Sequence, residues 1–112
     1  MLHEQIYVFE LTTRDPYAIV HAAGELDIAA VGALRGAVHR AARCAPRVIV
    51  DLRAVTFMDT FALRALVALQ QQAGTARDWS LHVVPGAGVQ RLLDLAGARG
   101  ELRWISHEQL AA

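Results

Sequence analysis

The chain of 112 residues contains no lysine and only one cysteine, Cys44. A single cysteine cannot form an internal disulfide or a thiolate metal cluster, which fits a reducing, cytoplasmic setting. Without lysine there is no phosphate-binding loop of the Gly-x4-Gly-Lys-Ser/Thr type. The 11 arginines are balanced by 11 acidic residues, so no basic excess favours a nucleic-acid partner.

Long apolar runs and aromatic residues are also scarce. Although 54% of the residues are hydrophobic, no run reaches the roughly 18 apolar residues that a membrane-spanning helix needs. The first residues lack the basic segment and apolar stretch of a signal peptide. Aromatic residues make up 6%, so the core must consist mostly of Leu, Val, Ile and Ala. The length predicts one domain, residues 1–112, with a modest core.

The sequence also lacks the motifs of known catalytic sites. There is no Gly-x-Ser-x-Gly nucleophile motif, and Gly86–Gly88 is best explained as a turn that leads into a helix. Asp27, Asp51 and Asp59 could gather at one sheet edge as a metal site, but each has a simpler role in a strand or a helix cap. We therefore predict a protein that is not an enzyme, with no metal and no cofactor. The histidines are dispersed, without the close pairing that zinc requires: His3, His21, His39, His82 and His107.

The apolar periodicity predicts alternating strands and helices in the order ββαβαβαβ. The first two strands form a hairpin, and right-handed crossovers make the remaining strands parallel. The expected fold is therefore an α/β single domain with a mixed, mostly parallel sheet of about five strands and three to four helices. The predicted strands are Ile6–Leu11, Ala18–Ala23, Arg47–Leu52, Ser80–Val84 and Leu102–Ile105, and the predicted helices begin near Ile28, Thr60 and Val89.

The most informative segment is Phe57–Leu63, where a buried strand gives way to a helix and Asp59 precedes Thr60. The first turn of a helix exposes unpaired N–H groups and the positive end of the macrodipole. The same groups would stabilise a phosphate on Thr60, which would add a charge of about −1.5 to −2. Capping alone is the alternative role for both residues, and it is the commoner one. Phe57 is predicted to lie in the core, whereas Met58 fits either the core or an apolar rim.

Two sequence markers resemble a known family. Val48–Leu52 followed by Val55–Thr60 is similar to the signature of the STAS domain family, and more narrowly to that of bacterial anti-sigma factor antagonists. Gly24–Asp27 resembles the Gly-Glu-Leu-Asp that ends an early strand in the same family. With the order of the elements, the resemblance covers nearly the whole chain.

The resemblance implies a partner-switching mechanism in transcription regulation, including stress responses. An unmodified antagonist binds an anti-sigma factor that is also a serine/threonine kinase, and the sigma factor is released. The kinase then phosphorylates the antagonist, which dissociates, and a metal-dependent serine/threonine phosphatase resets it. By position in the motifs, Thr60 matches the phosphoacceptor, Asp59 the neighbouring acid and Asp27 the acid of the early loop. The partner-binding residues implied are Asp27, Met58, Asp59, Thr60 and Phe61.

The chain departs from the family pattern at three positions. Thr60 replaces serine, Phe61 stands where a small or hydroxyl residue is usual, and Ala62 replaces glycine. One alternative therefore keeps the fold without the switch, as an accessory subunit of a lipid-transport ATPase or a scaffold in a stress-signalling complex. A third hypothesis is nucleotide binding, although no phosphate loop supports it. The sequence leaves a homodimer open.

Overall fold

The computed structural model describes residues 6–76, 78–97 and 99–111; His3 lies outside this part. We number the strands and helices in chain order, apart from two short 3-10 turns, Ile28–Ala30 and Arg99–Glu101. The strands are β1 (Tyr7–Arg14), β2 (Tyr17–Leu26), β3 (Arg47–Met58) and β4 (Ser80–Val84). The helices are α1 (Val31–Cys44), α2 (Thr60–Ala76), α3 (Ala87–Ala96) and α4 (His107–Ala111).

The four strands form one mixed sheet in the order β1-β2-β3-β4. β1 and β2 are antiparallel, whereas β2, β3 and β4 run parallel, which confirms the predicted α/β architecture. The sheet has four strands rather than about five, because the predicted strand at 102–105 forms only an isolated bridge between Val83 and Trp104. The chain leaves the sheet edge there, since α4 begins at His107. Among the described residues, no helix combines the length and apolarity needed to cross a membrane.

The main core lies between one face of the sheet and helices α1 to α3. The apolar periodicity of α1 and α2 predicts eight inward residues, and all are buried except Val31 and Val67, which are half-buried: Val31, Leu34, Val38, Ala41, Leu63, Leu66, Val67 and Leu69. A smaller cluster lies on the opposite face, where Leu110 of α4 packs with three sheet residues. The buried helix residues in the main core include Leu34, Val38, Ala41, Leu63, Leu66, Leu69 and Leu93.

β3 is longer than predicted and contains two irregularities. Its pairing with β2 shifts between His21 and Ala23, and again between Gly24 and Glu25, and each time β3 holds one extra residue. An extra residue reverses which side chains face the core, as in a β-bulge.

The first extra residue turns Val55 to the core, and the second restores the original alternation, so Met58 faces the core as Val50 and Leu52 do and is only 3% exposed. Phe57 points outward and is 50% exposed. The prediction that Phe57 belongs to the core is therefore wrong, and Met58 occupies that place.

The first irregularity is held by the carboxylate of Asp51. Asp51 Oδ1 accepts the backbone N–H of Arg53 at 3.0 Å, and both carboxylate oxygens accept bonds from the Arg53 guanidinium at 2.9 and 2.8 Å. His21 Nδ1 lies 3.3 Å from Asp51 Oδ2. Burial alone would raise the pKa of Asp51, but the hydrogen bonds and charge of Arg53, with the His21 bond, outweigh it and lower the pKa below its ordinary 3.8.

This lowered pKa makes the fold sensitive to acid. The ionised Asp51 stabilises the folded state fully above its unfolded-state pKa of 3.8, and that contribution is lost as the pH falls through the lower folded-state value. We expect Asp51→Asn to reduce the free energy of unfolding by about 1–3 kcal/mol at neutral pH, and by less in acid. Urea unfolding of both proteins at pH 7 and at about pH 3 would test this. A difference that stays constant between the two pH values would contradict it.

The start of α3 packs directly against β3. Gly86 is the N-cap of α3, and a Cβ atom there would lie 2.3 Å from the carbonyl oxygen of Leu52. A Cβ atom on Gly88 would lie 2.3 Å from the carbonyl oxygen of Val55. The interpretation of Gly86–Gly88 as a turn into a helix is thus confirmed, and both glycines permit a backbone contact with the irregular part of β3.

Candidate functional site

Asp59 joins the starts of two helical segments. It directly follows β3, and its N–H donates to the carbonyl oxygen of Leu26 at 3.0 Å. Its Oδ1 accepts the N–H of Ala62 at 2.9 Å, which caps α2. Its Oδ2 accepts the N–H of Ile28 at 3.1 Å, at the start of the first 3-10 turn. One carboxylate therefore fixes the position of α2 relative to the segment that follows β2.

Asp27 caps the 3-10 turn from within its own loop. Its Oδ1 accepts the N–H of Ala29 at 2.9 Å. The two sequence markers meet because β2 and β3 are parallel neighbours that end together, with Leu26 opposite Met58. Asp51 lies earlier in β3 and is bonded to Arg53. Within the described residues, no three His, Cys, Asp or Glu side chains are close enough together to hold a metal ion.

Thr60 is the first residue of α2 and is exposed. It therefore lies at the positive end of the helix macrodipole, where backbone N–H groups are available to an anion. Thr60 also lines a groove of about 590 Å³, whose other walls include Leu63, Arg64 and Glu101. Arg64 follows Thr60 by one helical turn, so the two side chains lie on the same side of α2.

Three large apolar side chains surround Asp59 and Thr60 at the surface. Ile28 is 60% exposed, Phe57 is 50% exposed and Phe61 is 56% exposed. Clustered apolar exposure of this kind is uncommon on a protein that acts alone. The family resemblance predicts Phe61 as a contact residue but neither Ile28 nor Phe57, although strict alternation from the buried Val50 and Leu52 already places Phe57 on the outward face. We call Ile28, Phe57, Thr60 and Phe61 the docking surface.

Solved structures of similar fold include anti-sigma factor antagonists. An anti-sigma factor antagonist from Mycobacterium paratuberculosis is 25% identical in sequence; the alignment covers 88% of this chain and 84% of that one, with a TM-score of 0.74. The anti-sigma factor antagonist SpoIIAA in its unphosphorylated form is 18% identical, with 93% of each chain covered and a TM-score of 0.70.

The phosphorylated form of SpoIIAA, a Bacillus cell fate determinant, is also 18% identical, and the alignment covers 93% of this chain and 96% of that one with a TM-score of 0.63. At this identity the likeness to SpoIIAA shows the shared fold. No curated protein matches the sequence. The family model of the STAS domain, however, matches residues 8–111. Since that match spans almost the entire chain and includes both sequence markers, the chain belongs to the STAS domain family.

Proposed function

We propose that this protein is a cytoplasmic anti-sigma factor antagonist. In its unmodified form it binds an anti-sigma factor that is also a serine/threonine kinase, and a sigma factor is released. Phosphorylation of Thr60 ends this interaction, and a metal-dependent phosphatase restores it. The observation that carries the proposal is an exposed hydroxyl at a helix start, surrounded by exposed apolar side chains. The similarity in fold to anti-sigma factor antagonists supports it.

The five predicted partner-binding residues divide into two groups. Thr60 and Phe61 have the exposed side chains that direct contact with a partner requires. Asp27 and Asp59 use their carboxylates in backbone hydrogen bonds, so their proposed role is to hold the shape of the surface. Met58 is 3% exposed and offers a partner little side-chain area, so of the two positions that the sequence left open, core and rim, it occupies the core.

A phosphate on Thr60 would fit the folded protein and oppose the partner. The N-terminus of α2 attracts an anion, and Arg64 one turn later adds a positive charge on the same side. The modification would place a charge of about −1.5 to −2 between Phe57 and Phe61. A partner whose contact surface is apolar would then have to bury that charge, and burying an unpaired charge costs free energy. Phosphorylation would thus weaken binding without unfolding the antagonist.

The departures from the family pattern leave the acceptor accessible. Ala62 is fully buried, so the methyl group that replaces glycine lies beneath the surface. Phe61 follows Thr60 in the helix, and consecutive helical residues point in directions about 100° apart. The aromatic ring therefore lies beside the hydroxyl rather than over it. These positions agree with a working phosphoacceptor that presents an additional apolar contact.

Phosphate transfer from the cognate anti-sigma kinase tests the proposal. With ATP present, we expect one phosphate on the wild-type protein and none on Thr60→Ala, as measured by intact-mass spectrometry and peptide mapping. Thr56→Ala is the matched control, because Thr56 is an exposed threonine in the neighbouring strand. It should accept phosphate at the wild-type rate. Modification that persists in Thr60→Ala, or that is absent from the wild type, would refute the switch.

The second candidate function is a constitutive binding subunit, of a lipid-transport ATPase or a stress-signalling complex. Two exposed phenylalanines favour it, because aromatic residues are enriched in protein interfaces. Affinity purification from the native cell distinguishes the two functions. If wild-type protein and Thr60→Glu recover equal amounts of a transport ATPase, the protein is a constitutive binding subunit. Recovery of a kinase-like anti-sigma factor with the wild type alone would favour the antagonist.

A further inference from the structure

A second site lies at the opposite end of the sheet, where β2, β3 and β4 begin. Tyr17, Arg47 and Ser80 are the first residues of these strands and occupy one row across the sheet. Ile49 and His82 are paired in the next row on the same side, since side chains two residues apart share a face. The segment from Trp104 to Gln109 covers this row and encloses a hollow of about 390 Å³.

Among the described residues, those that line this hollow include one arginine and no acidic residue. Arg47 lines it directly. Burial, followed by the charges of Arg103 and Arg47, lowers the pKa of His82 below its ordinary value, so both guanidinium groups act on His82. Neither Arg47 nor Arg103 forms an ion pair with a carboxylate of the described residues within 4.0 Å.

We propose that this hollow, the strand-start site, binds the phosphate monoester of a small apolar molecule. A guanidinium can hold a phosphate with two hydrogen bonds, and the Ser80 hydroxyl and Gln109 amide are further donors at the lining. Tyr17, Ile49 and Ile105 supply an apolar wall for the rest of the molecule. The volume of about 390 Å³ lies in the range of small-ligand sites.

The strand-start site is separate from the docking surface. Arg47 begins β3, whereas Asp59 and Thr60 follow its end, so the two sites lie about 35 Å apart for an extended strand of this length. The strand-start site is also concave and covered by the C-terminal segment, which Leu110 anchors to Ile19 and Ile49. That shape suits a small molecule rather than a protein surface. Ligand binding here does not depend on the proposed modification of Thr60.

Titration with phenyl phosphate, followed by amide chemical shifts, tests the site. We expect saturable chemical shift changes at Ser80 and His82. Inorganic phosphate and phenol should both bind more weakly than phenyl phosphate, because the first lacks the apolar ring and the second lacks the phosphate. Arg47→Gln should weaken phenyl phosphate binding at least about tenfold, which corresponds to 1.4 kcal/mol. Arg91→Gln, on the exposed side of α3, is the matched control and should bind as the wild type does.

Three results would overturn the proposal. The first is the absence of shifts at Ser80 and His82 up to about 10 mM phenyl phosphate, far above a typical metabolite affinity. The second is an equal loss of affinity in Arg47→Gln and Arg91→Gln, which would indicate non-specific attraction to arginine. The third is phenol binding as tightly as phenyl phosphate, which would leave the phosphate without a role. The affinity of Thr60→Ala for phenyl phosphate should equal that of the wild type.

Discussion

Phe61→Ala is expected to weaken binding to the cognate anti-sigma factor by about 30-fold or more, equivalent to at least 2 kcal/mol. The aromatic ring is 56% exposed and next to Thr60, so a partner that covers the helix start would bury most of it. Aromatic residues at the centre of an interface commonly dominate the binding free energy. Because the ring is exposed in the free protein, its removal should change the free energy of unfolding by only about 0.5 kcal/mol or less.

Isothermal titration calorimetry with the purified partner measures the affinity, and urea unfolding measures the stability of each variant. Leu11→Ala is the matched control, since Leu11 is an exposed apolar residue, at 37%, that pairs with Val20 in the middle of the sheet, away from the end that carries the docking surface. It should leave the affinity unchanged. Phe57→Ala should weaken binding as Phe61→Ala does. An affinity unaffected by either phenylalanine substitution would mean that the partner binds elsewhere.

The places of Asp27, Asp59 and Thr60 at the ends of strands could be predicted because their signals are local. Asp59 and Thr60 follow a short apolar strand and precede a helical pattern, and Asp27 ends another strand in the same way. Their meeting at one sheet edge then follows from topology, since parallel neighbouring strands end at the same edge. The bond from Ile28 to the Asp59 carboxylate could not be predicted, because it joins segments that are far apart in the sequence.

The burial of Val55 could not be predicted from periodicity, whereas the positions of Phe57 and Met58 could. Strict alternation from the buried Val50 and Leu52 places Val55 outside and Met58 inside. The first inserted residue of β3 brings Val55 to the core, and the second cancels the reversal at Met58.

The first insertion depends on Asp51, whose carboxylate bonds the backbone and side chain of Arg53. Such side-chain bonds to nearby backbone compete with regular pairing. A buried aspartate in a strand, two residues before an arginine, is thus a local signal of the first irregularity.

Helix α4 had a recognisable signal that the periodicity did not reveal. The Ser106 hydroxyl accepts the N–H of Gln109 at 3.0 Å, and the Gln109 side-chain oxygen accepts the N–H of Ser106 at 2.8 Å. This reciprocal pair is a capping box, which the spacing Ser-x-x-Gln predicts. The apolar side chains of Leu102, Trp104 and Ile105 instead favour a final strand. The cap predicts that a helix begins directly after this segment, with Ser106 as its N-cap.

Replacement of Asp59 is expected to give a large loss of stability through its two helix-start bonds. Asp59→Ala removes the acceptors for Ala62 and Ile28, and losing a cap and a second backbone bond should cost about 2–3 kcal/mol. Asp59→Asn retains one acceptor oxygen, so it should cost about half as much. Asp27→Ala removes a single cap and should cost about 1 kcal/mol. Urea unfolding at neutral pH measures all three.

The order of these three variants tests whether Asp59 joins the two segments. If it does, Asp59→Ala must lose clearly more stability than Asp27→Ala, with Asp59→Asn between Asp59→Ala and the wild type. The substitution should also disturb the position of Thr60, because Thr60 begins the helix that Asp59 caps. Phosphate transfer to Thr60 should then be slower in Asp59→Ala than in Asp27→Ala. Equal stabilities for Asp59→Ala and Asp27→Ala would mean that Asp59 acts only as the cap of α2. The bond from Ile28 to Asp59 would then not determine the shape of the docking surface.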